Sequence, residues 1–258
     1  MGITLLEISN LSKHFGGVKA LTGVSFSAAA GGITGLIGPN GAGKTTCFNL
    51  INGLLGPTGG AIRLAGQDLV GLSPYARARL GLARTFQNIQ LFGGMTVMEN
   101  VLTGRHLRQQ VGPLAALLPL PRVSRARAEN RERALSLLEL VGLAGQADFP
   151  AEALAYGDQR RLEIARALAQ EPQLLLMDEP AAGLNPRETE DLMALLEKLR
   201  DRGITLLVIE HDMTLVMGLC DPVVVLDYGE VIAAGAPGEI RRDPRVIEAY
   251  LGREEEGD

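Results

Sequence analysis

Gly38-Pro39-Asn40-Gly41-Ala42-Gly43-Lys44-Thr45-Thr46 decides the fold, because Gly38 and the Gly43-Lys44-Thr45 triplet stand at the spacing of a phosphate-binding P-loop. The apolar run Ile33 to Ile37 before it predicts a buried strand. After it, Phe48, Ile51, Leu54 and Leu55 share a helical face, which predicts a helix over 45–55. Strand, glycine turn and helix thus come in the order such a loop requires. Glycines let successive backbone N–H groups point into one concavity, and a helix N-terminus adds partial positive charge there. An anionic phosphate fits that site. Lys44 is placed to reach β- and γ-phosphates, Thr45 to set a hydroxyl on Mg²⁺, and Thr46 to stand beside it.

The chain has 258 residues, 46% hydrophobic and 21% charged, with a formal net charge of -5. This describes a globular chain with core enough for one domain carrying an insert. No basic block marks a nucleic-acid surface, so no nucleic-acid partner is expected. No run approaches the ~18 apolar residues of a membrane span. Met1-Gly2-Ile3-Thr4-Leu5-Leu6 has neither a basic leader nor a myristoylation pattern, so the expected place is the cytoplasm. Two cysteines, Cys47 and Cys220, predict small buried side chains rather than a disulfide framework or a metal cluster.

Taken in order, Leu5 to Ile8 and Val24 to Ala28 read as strands around a Gly16-Gly17 turn. Ile62 to Leu64 and Asp68 to Val70 flank the turn Ala65-Gly66-Gln67, predicting a hairpin and, with the first pair, a small antiparallel layer. Beyond Thr85-Phe86-Gln87 the texture becomes helical. Thr96 caps a predicted helix from Val97 to about Arg108, Gly112, Pro113, Pro119 and Pro121 interrupt, and 124–140 is amphipathic with its charges solvated. A helix is predicted from Gly157 to Gln170, then a buried strand from Gln173 to Glu179. Asn185-Pro186-Arg187-Glu188 carries a cap, a proline at the first helical position and an acid three residues after the cap; the helix ends at Arg202-Gly203. Strands follow at Ile204 to Ile209, Val223 to Leu226 and Val231 to Ala234, with a Tyr228-Gly229 turn, and Arg253 to Asp258 reads as a solvated acidic tail.

Carboxyl ends of parallel strands are where α/β proteins bind ligands, and two strands here end in chemistry. At Asp178-Glu179 the first acid suits a Mg²⁺ shell, and the second suits orienting or deprotonating a water that attacks a γ-phosphate. His211 closes the next strand, where an imidazole can hydrogen-bond a γ-phosphate oxygen.

Leu154-Ala155-Tyr156-Gly157-Asp158-Gln159, lying between the P-loop and the acidic strand and ahead of a helix, resembles the ABC signature motif. From end to end the sequence resembles an ABC-type ATPase subunit. In that resemblance Gln87 matches the Q-loop, Leu174 to Glu179 the Walker B strand, Ala181 to Pro186 the D-loop, His211 the switch histidine and Phe15 the aromatic that stacks on adenine. It implies ATP and Mg²⁺ as ligands, Glu179, His211 and Gln87 as catalytic residues, and Thr45, Gln87 and Asp178 as the metal shell. The implied fold is a P-loop NTPase (RecA-like) α/β core with an antiparallel β layer and an inserted α-helical subdomain at about 88–165, within one domain spanning 1–258.

Ala83-Arg84-Thr85-Phe86-Gln87, Glu179-Pro180-Ala181-Ala182-Gly183-Leu184-Asn185-Pro186, Ile209-Glu210-His211-Asp212-Met213 and Ala249-Tyr250-Leu251-Gly252 are similar to the ATP-binding subunits of branched-chain amino acid importers. The resemblance implies a second ABC ATPase subunit, expected to be a different chain, docked with it on two membrane permease subunits. The pair would sit on the cytoplasmic face of the inner membrane, with a binding protein delivering substrate indirectly. ATPases of urea or lipopolysaccharide transporters are similar and stand as the alternative. A P-loop kinase would need an acceptor site and lacks the signature. A non-transport ABC protein acting on nucleic acid or ribosomes carries two cassettes or long basic additions, which this sequence does not show. The sequence departs from the wider family at Ala155 for serine, Asp158 for glutamine and Asn185 for aspartate.

Overall fold

The computed structural model describes residues 3–108 and 121–251. The expectations on Met1-Gly2, the Gly112-Pro113-Pro119 interruption, Gly252 and the Arg253–Asp258 tail lie outside the described residues.

Two sheets stack around the P-loop unit. The larger, of six strands, has the order β10-β9-β3-β8-β7-β6, built from β3 (Ile33–Ile37), β6 (Leu82–Arg84), β7 (Leu174–Asp178), β8 (Thr205–Ile209), β9 (Val223–Asp227) and β10 (Glu230–Gly235). β3 and β6 to β9 run parallel, and β10 pairs antiparallel with β9. Every residue of β3, β7 and β8 is buried, which is why these strands read as unbroken apolar runs. Their side chains still alternate between two cores. Leu36, Leu176, Leu207 and Leu226 face one, while Ile37, Leu175, Val208 and Val225 face the other.

The first core is closed by α1 (Lys44–Asn52) and by the smaller sheet, whose order is β2-β1-β4-β5: β1 (Thr4–Phe15), β2 (Val18–Ala29), β4 (Gly59–Leu64) and β5 (Gln67–Asp68). The expected antiparallel layer is present, but β1 and β2 are each twelve residues long. Bulges between Ile8 and Leu11 and between Lys13 and His14 break the period-two alternation that marks a strand in sequence. β5 is Gln67–Asp68, not Asp68–Val70, because Asp68 Oδ1 accepts from Val70 N at 2.8 Å and turns the chain. α1 stops at Asn52 rather than Leu55, capped by Gly53 at φ 85.

The second core is covered by α3 (Val97–Gly104), α4 (Pro121–Leu140) and α5 (Tyr156–Leu168), which pack on one another, and by α6 (Pro186–Asp201) and α7 (Met213–Leu219). Thr96 and Glu99 form the capping box of α3, and Asn185 and Glu188 that of α6. α2 (Pro74–Arg79), β6, α7, α8 (Pro237–Ile240) and α9 (Pro244–Leu251) were not anticipated; all but α9 are seven residues or shorter, too short for a helical or strand period to show. Both cysteines are buried, and burial pushes each thiol up to about 12, so neither is a nucleophile at neutral pH.

Because β3, β8 and β7 are neighbours, their carboxyl ends deliver the P-loop, the His211 segment and the Asp178-Glu179 pair to one rim.

Candidate functional site

The loop from Gly38 to Gly43 holds its shape through backbone that side chains disfavour: φ is 145 at Gly38, 80 at Gly41 and 103 at Gly43. Gly43 caps α1 without a side-chain hydrogen bond, and no acid occupies the first turn, so the positive end of the helix is open to an anion. Lys44 is folded back under the loop, its Nζ donating to Gly38 O at 2.6 Å and Pro39 O at 3.0 Å. Above lies a cleft of about 420 Å³, walled by 40–46, by Val18 to Ala20 at the start of β2, by Glu179 and by Tyr228. Phe15 is 46% exposed at the end of β1, in register with Val18, with Lys13 Nζ 5.0 Å from its ring centre. The structure therefore puts Phe15 beside the cleft mouth and puts Val18 and Tyr228 in its wall.

The two acids have different surroundings. Asp178 Oδ2 accepts from Arg84 Nη2 at 2.8 Å, with both side chains almost wholly buried, and Arg84 Nη1 also donates to Asn49 Oδ1 at 2.7 Å. Glu179 turns into the cleft on a backbone at φ 47, a left-handed conformation that costs a non-glycine residue roughly 1–2 kcal/mol. Its Oε2 accepts from Gln87 Nε2 at 2.8 Å and lies 3.9 Å from His211 Nδ1. Gln87, Glu179 and His211, distant in sequence, thus meet at one carboxylate oxygen. Strain of this kind at a site residue fits a side chain aimed for chemistry.

The signature stretch opens α5, and none of its residues lines the cleft. Leu154 is buried, Gln159 Nε2 donates to Leu154 O at 2.9 Å, and the Tyr156 hydroxyl donates to Ala182 O at 3.1 Å. Gly157 packs on α6, where a Cβ would meet Glu188 Oε1 at 2.6 Å. Asp158 sits 3.6 Å from Arg161 in the first turn, where an acid suits the helix dipole. Ala155 is the N-cap of α5 and offers no side-chain bond. Ala155→Ser is expected to stabilise the fold by about 1 kcal/mol through a new cap, read as a higher Tm, before any effect on nucleotide.

Sequence reasoning missed the buried charges that hold this rim. Glu210 takes Ala181 N at 2.8 Å on one oxygen and His211 N at 3.2 Å on the other, so it ties the segment after Glu179 to the histidine. Burial pushes its carboxyl above the ordinary range against those N–H groups. Arg84, Arg160 and Glu163 are likewise buried and charged. Their one sequence signal is a charged residue on an otherwise apolar face, which a solvated face mimics.

Comparison with known proteins agrees with this geometry. The family description "ABC transporter" matches residues 21–182, and "Branched-chain amino acid ATP-binding cassette transporter" matches residues 230–256. The chain is 48% identical over 253 residues to the high-affinity branched-chain amino acid transport ATP-binding protein BraF of Pseudomonas aeruginosa, covering 98% of this chain and 99% of the relative. It is 38% identical over 248 residues to the lipopolysaccharide export system ATP-binding protein LptB of Acidithiobacillus ferridurans, covering 96% and 97%. The ADP conformation of MJ1267, an ATP-binding cassette of an ABC transporter, superposes with a TM-score of 0.85 at 35% identity, covering 97% of this chain and 99% of that one.

Proposed function

This chain belongs to the ABC transporter family of ATP-binding subunits, and on that premise we propose that it hydrolyses ATP in the cleft above α1 to drive import of branched-chain amino acids. The observation that carries hydrolysis is the Glu179 carboxylate, turned into the phosphate cleft and held by Gln87 with His211 alongside. The cargo rests on the C-terminal match over 230–256 and on the likeness to BraF. Import is favoured over export because identity is 48% to BraF and 38% to LptB.

ATP fits a cradle in which Gly41 leaves open space where a side chain would stand. Lys44 exchanges two carbonyls for the β- and γ-phosphates, and the α1 N-terminus takes the remaining charge. Phe15 at the cleft mouth offers a ring face to adenine. Glu179 orients a water and takes its proton, and His211 donates to a γ-phosphate oxygen. Among the described residues no three His, Cys, Asp or Glu cluster as a metal cage, which suits Mg²⁺, an ion held by one or two carboxylates and the nucleotide's own phosphates. Thr45, Gln87 and Asp178 would hold it, and it would neutralise charge on the β- and γ-phosphates. Leu154 to Gln159 face a second ATPase subunit's P-loop in a head-to-tail pair.

The likeness to BraF, an ATP-binding protein of a transport system, supports membrane permease partners, proposed as two chains; no helix among the described residues is itself long and apolar enough to cross a membrane. The docking ridge is apolar and held firm. Phe92 and Phe149 are 51% and 53% exposed, and Asn100 pins Phe92 through both its N–H and its carbonyl. The Phe149 and Met95 carbonyls accept from Val97 N and Ala151 N, which sets all three side chains on one rim. Affinity purification from native membranes is expected to recover permease chains together with a binding protein for branched-chain amino acids. Phe92→Cys and Phe149→Cys should crosslink to permease loops at the cytoplasmic face. Recovery of a lipopolysaccharide-type permease would overturn the cargo, and silence across both cysteines would overturn the ridge.

A further inference from the structure

The signature helix α5 carries two charged side chains where charge is costly. Arg160 and Glu163, one turn apart, are each 1% exposed and pair at 3.0 Å. Arg160 Nε is buried without a partner, and burial pushes the Glu163 carboxyl above its ordinary range. A buried ion pair is weak support for stability, and an apolar pair of similar volume would dock α5 as well.

Apart from a 3.4 Å bond from Arg160 Nη2 to the Tyr156 hydroxyl, the rest of the dyad's hydrogen bonding goes to one place. Arg160 Nη1 donates to Phe86 O at 2.8 Å and Nη2 to Gln87 O at 2.9 Å, while Glu163 Oε1 accepts from Phe86 N at 3.2 Å. Two adjacent residues of the Q-loop are therefore clamped, from donor and acceptor sides together, by a helix otherwise unrelated to them in sequence. The Gln87 amide leaves this clamp and donates to Glu179 at 2.8 Å. A continuous path of bonds runs from α5, through the Gln87 backbone and side chain, to the carboxylate.

We infer that Arg160, with Glu163 as its counter-ion, is a positioning residue for hydrolysis: it fixes the Gln87 backbone so that the Gln87 amide holds Glu179 in place. Because α5 begins at the signature stretch, any rotation of that helix on meeting a partner's nucleotide moves Gln87 with it, and Glu179 loses or gains its hydrogen bond. The dyad thus links the two faces of one chain. This rests on the assignment of Glu179 as the base.

The test uses the assembled transporter and four measurements: Tm, affinity for a fluorescent ATP analogue, kcat, and a double-mutant cycle with Gln87→Ala. Arg160→Met/Glu163→Leu removes the dyad without stranding a charge. It does leave Phe86 N, Phe86 O and Gln87 O without these partners, so Tm should fall modestly, while nucleotide affinity is kept and kcat falls by about tenfold or more, the scale expected when a catalytic group is slightly misplaced. In the Gln87→Ala background the same pair of changes should alter kcat by less than about twofold, because the path is already cut. Equal losses in both backgrounds, or an unchanged kcat in the wild-type background, would overturn the inference and leave the dyad as packing. Should the double variant not fold, Arg160→Lys is read instead; it keeps the charge but gives up the two-carbonyl fork, and wild-type kcat there would be equally fatal. Full turnover in Glu179→Gln would mean that the assignment beneath has failed. Abolished turnover in Glu179→Gln with no effect of the dyad would mean that only the positioning role has failed.

Discussion

Glu179→Gln is expected to bind ATP with wild-type affinity while turnover falls by roughly 10²–10⁴-fold, the usual weight of a positioned proton acceptor. The substitution changes little else. Glutamine has the same length and branching, so the left-handed backbone at φ 47 bears the same strain, and an amide oxygen still accepts from Gln87 Nε2. What disappears is the oxygen that takes a proton, along with the charge 3.9 Å from His211. The cradle that binds the phosphates is built from Gly41, Lys44 and the α1 N-terminus, all of which stay as they are. Nucleotide should therefore enter and stay. Phosphate release by the assembled transporter, measured beside retained radiolabelled ATP, decides the matter: release near the wild-type rate would remove Glu179 from catalysis.

The parts of this molecule that were legible in its sequence are the local ones. A buried strand, a glycine loop and an amphipathic helix follow one another within twenty residues, so β3, the loop and α1 carry their own signal, as do the cap at Thr96 and the capping box at Asn185. Gln87, Glu179 and His211 were reached through motif resemblance, since spacings of 92 and 32 residues carry no geometric information by themselves. Buried polar partners were illegible for the same reason. Nothing in the Arg84 neighbourhood says that its guanidinium meets a carboxylate 94 residues away, and Arg160 and Glu163 look like ordinary solvated helix charges until α5 is laid against the Q-loop. The long hairpin of β1 and β2 was cut short because bulges shift the alternation, a loss of period rather than of strand character.

Gly38→Ala is expected to destabilise the fold severely, whereas Gly41→Ala, three residues on in the same loop, should fold and fail to bind ATP. At Gly38, φ is 145, and an added Cβ would stand 2.0 Å from Leu226 O and 3.2 Å from Ala42 Cβ. Leu226 is a fully buried residue of β9, whose neighbour Val225 pairs with Ile37 in β3, so the carbonyl cannot retreat without parting two central strands. Backbone strain of about 1–3 kcal/mol and overpacking of similar size add to roughly 2–6 kcal/mol, a large share of the roughly 5–15 kcal/mol that holds a domain together. At Gly41, φ is 80 and no atom lies within 4 Å of the added Cβ, so the fold loses about 1–2 kcal/mol for a left-handed alanine. The methyl then occupies the space in which the backbone approaches the phosphates, and the loss appears in binding. Thermal denaturation and fluorescent-nucleotide titration of the two variants separate the cases. A wild-type Tm for Gly38→Ala would show that the loop is not braced by β9, and wild-type affinity for Gly41→Ala would show that phosphate does not sit against this part of the loop.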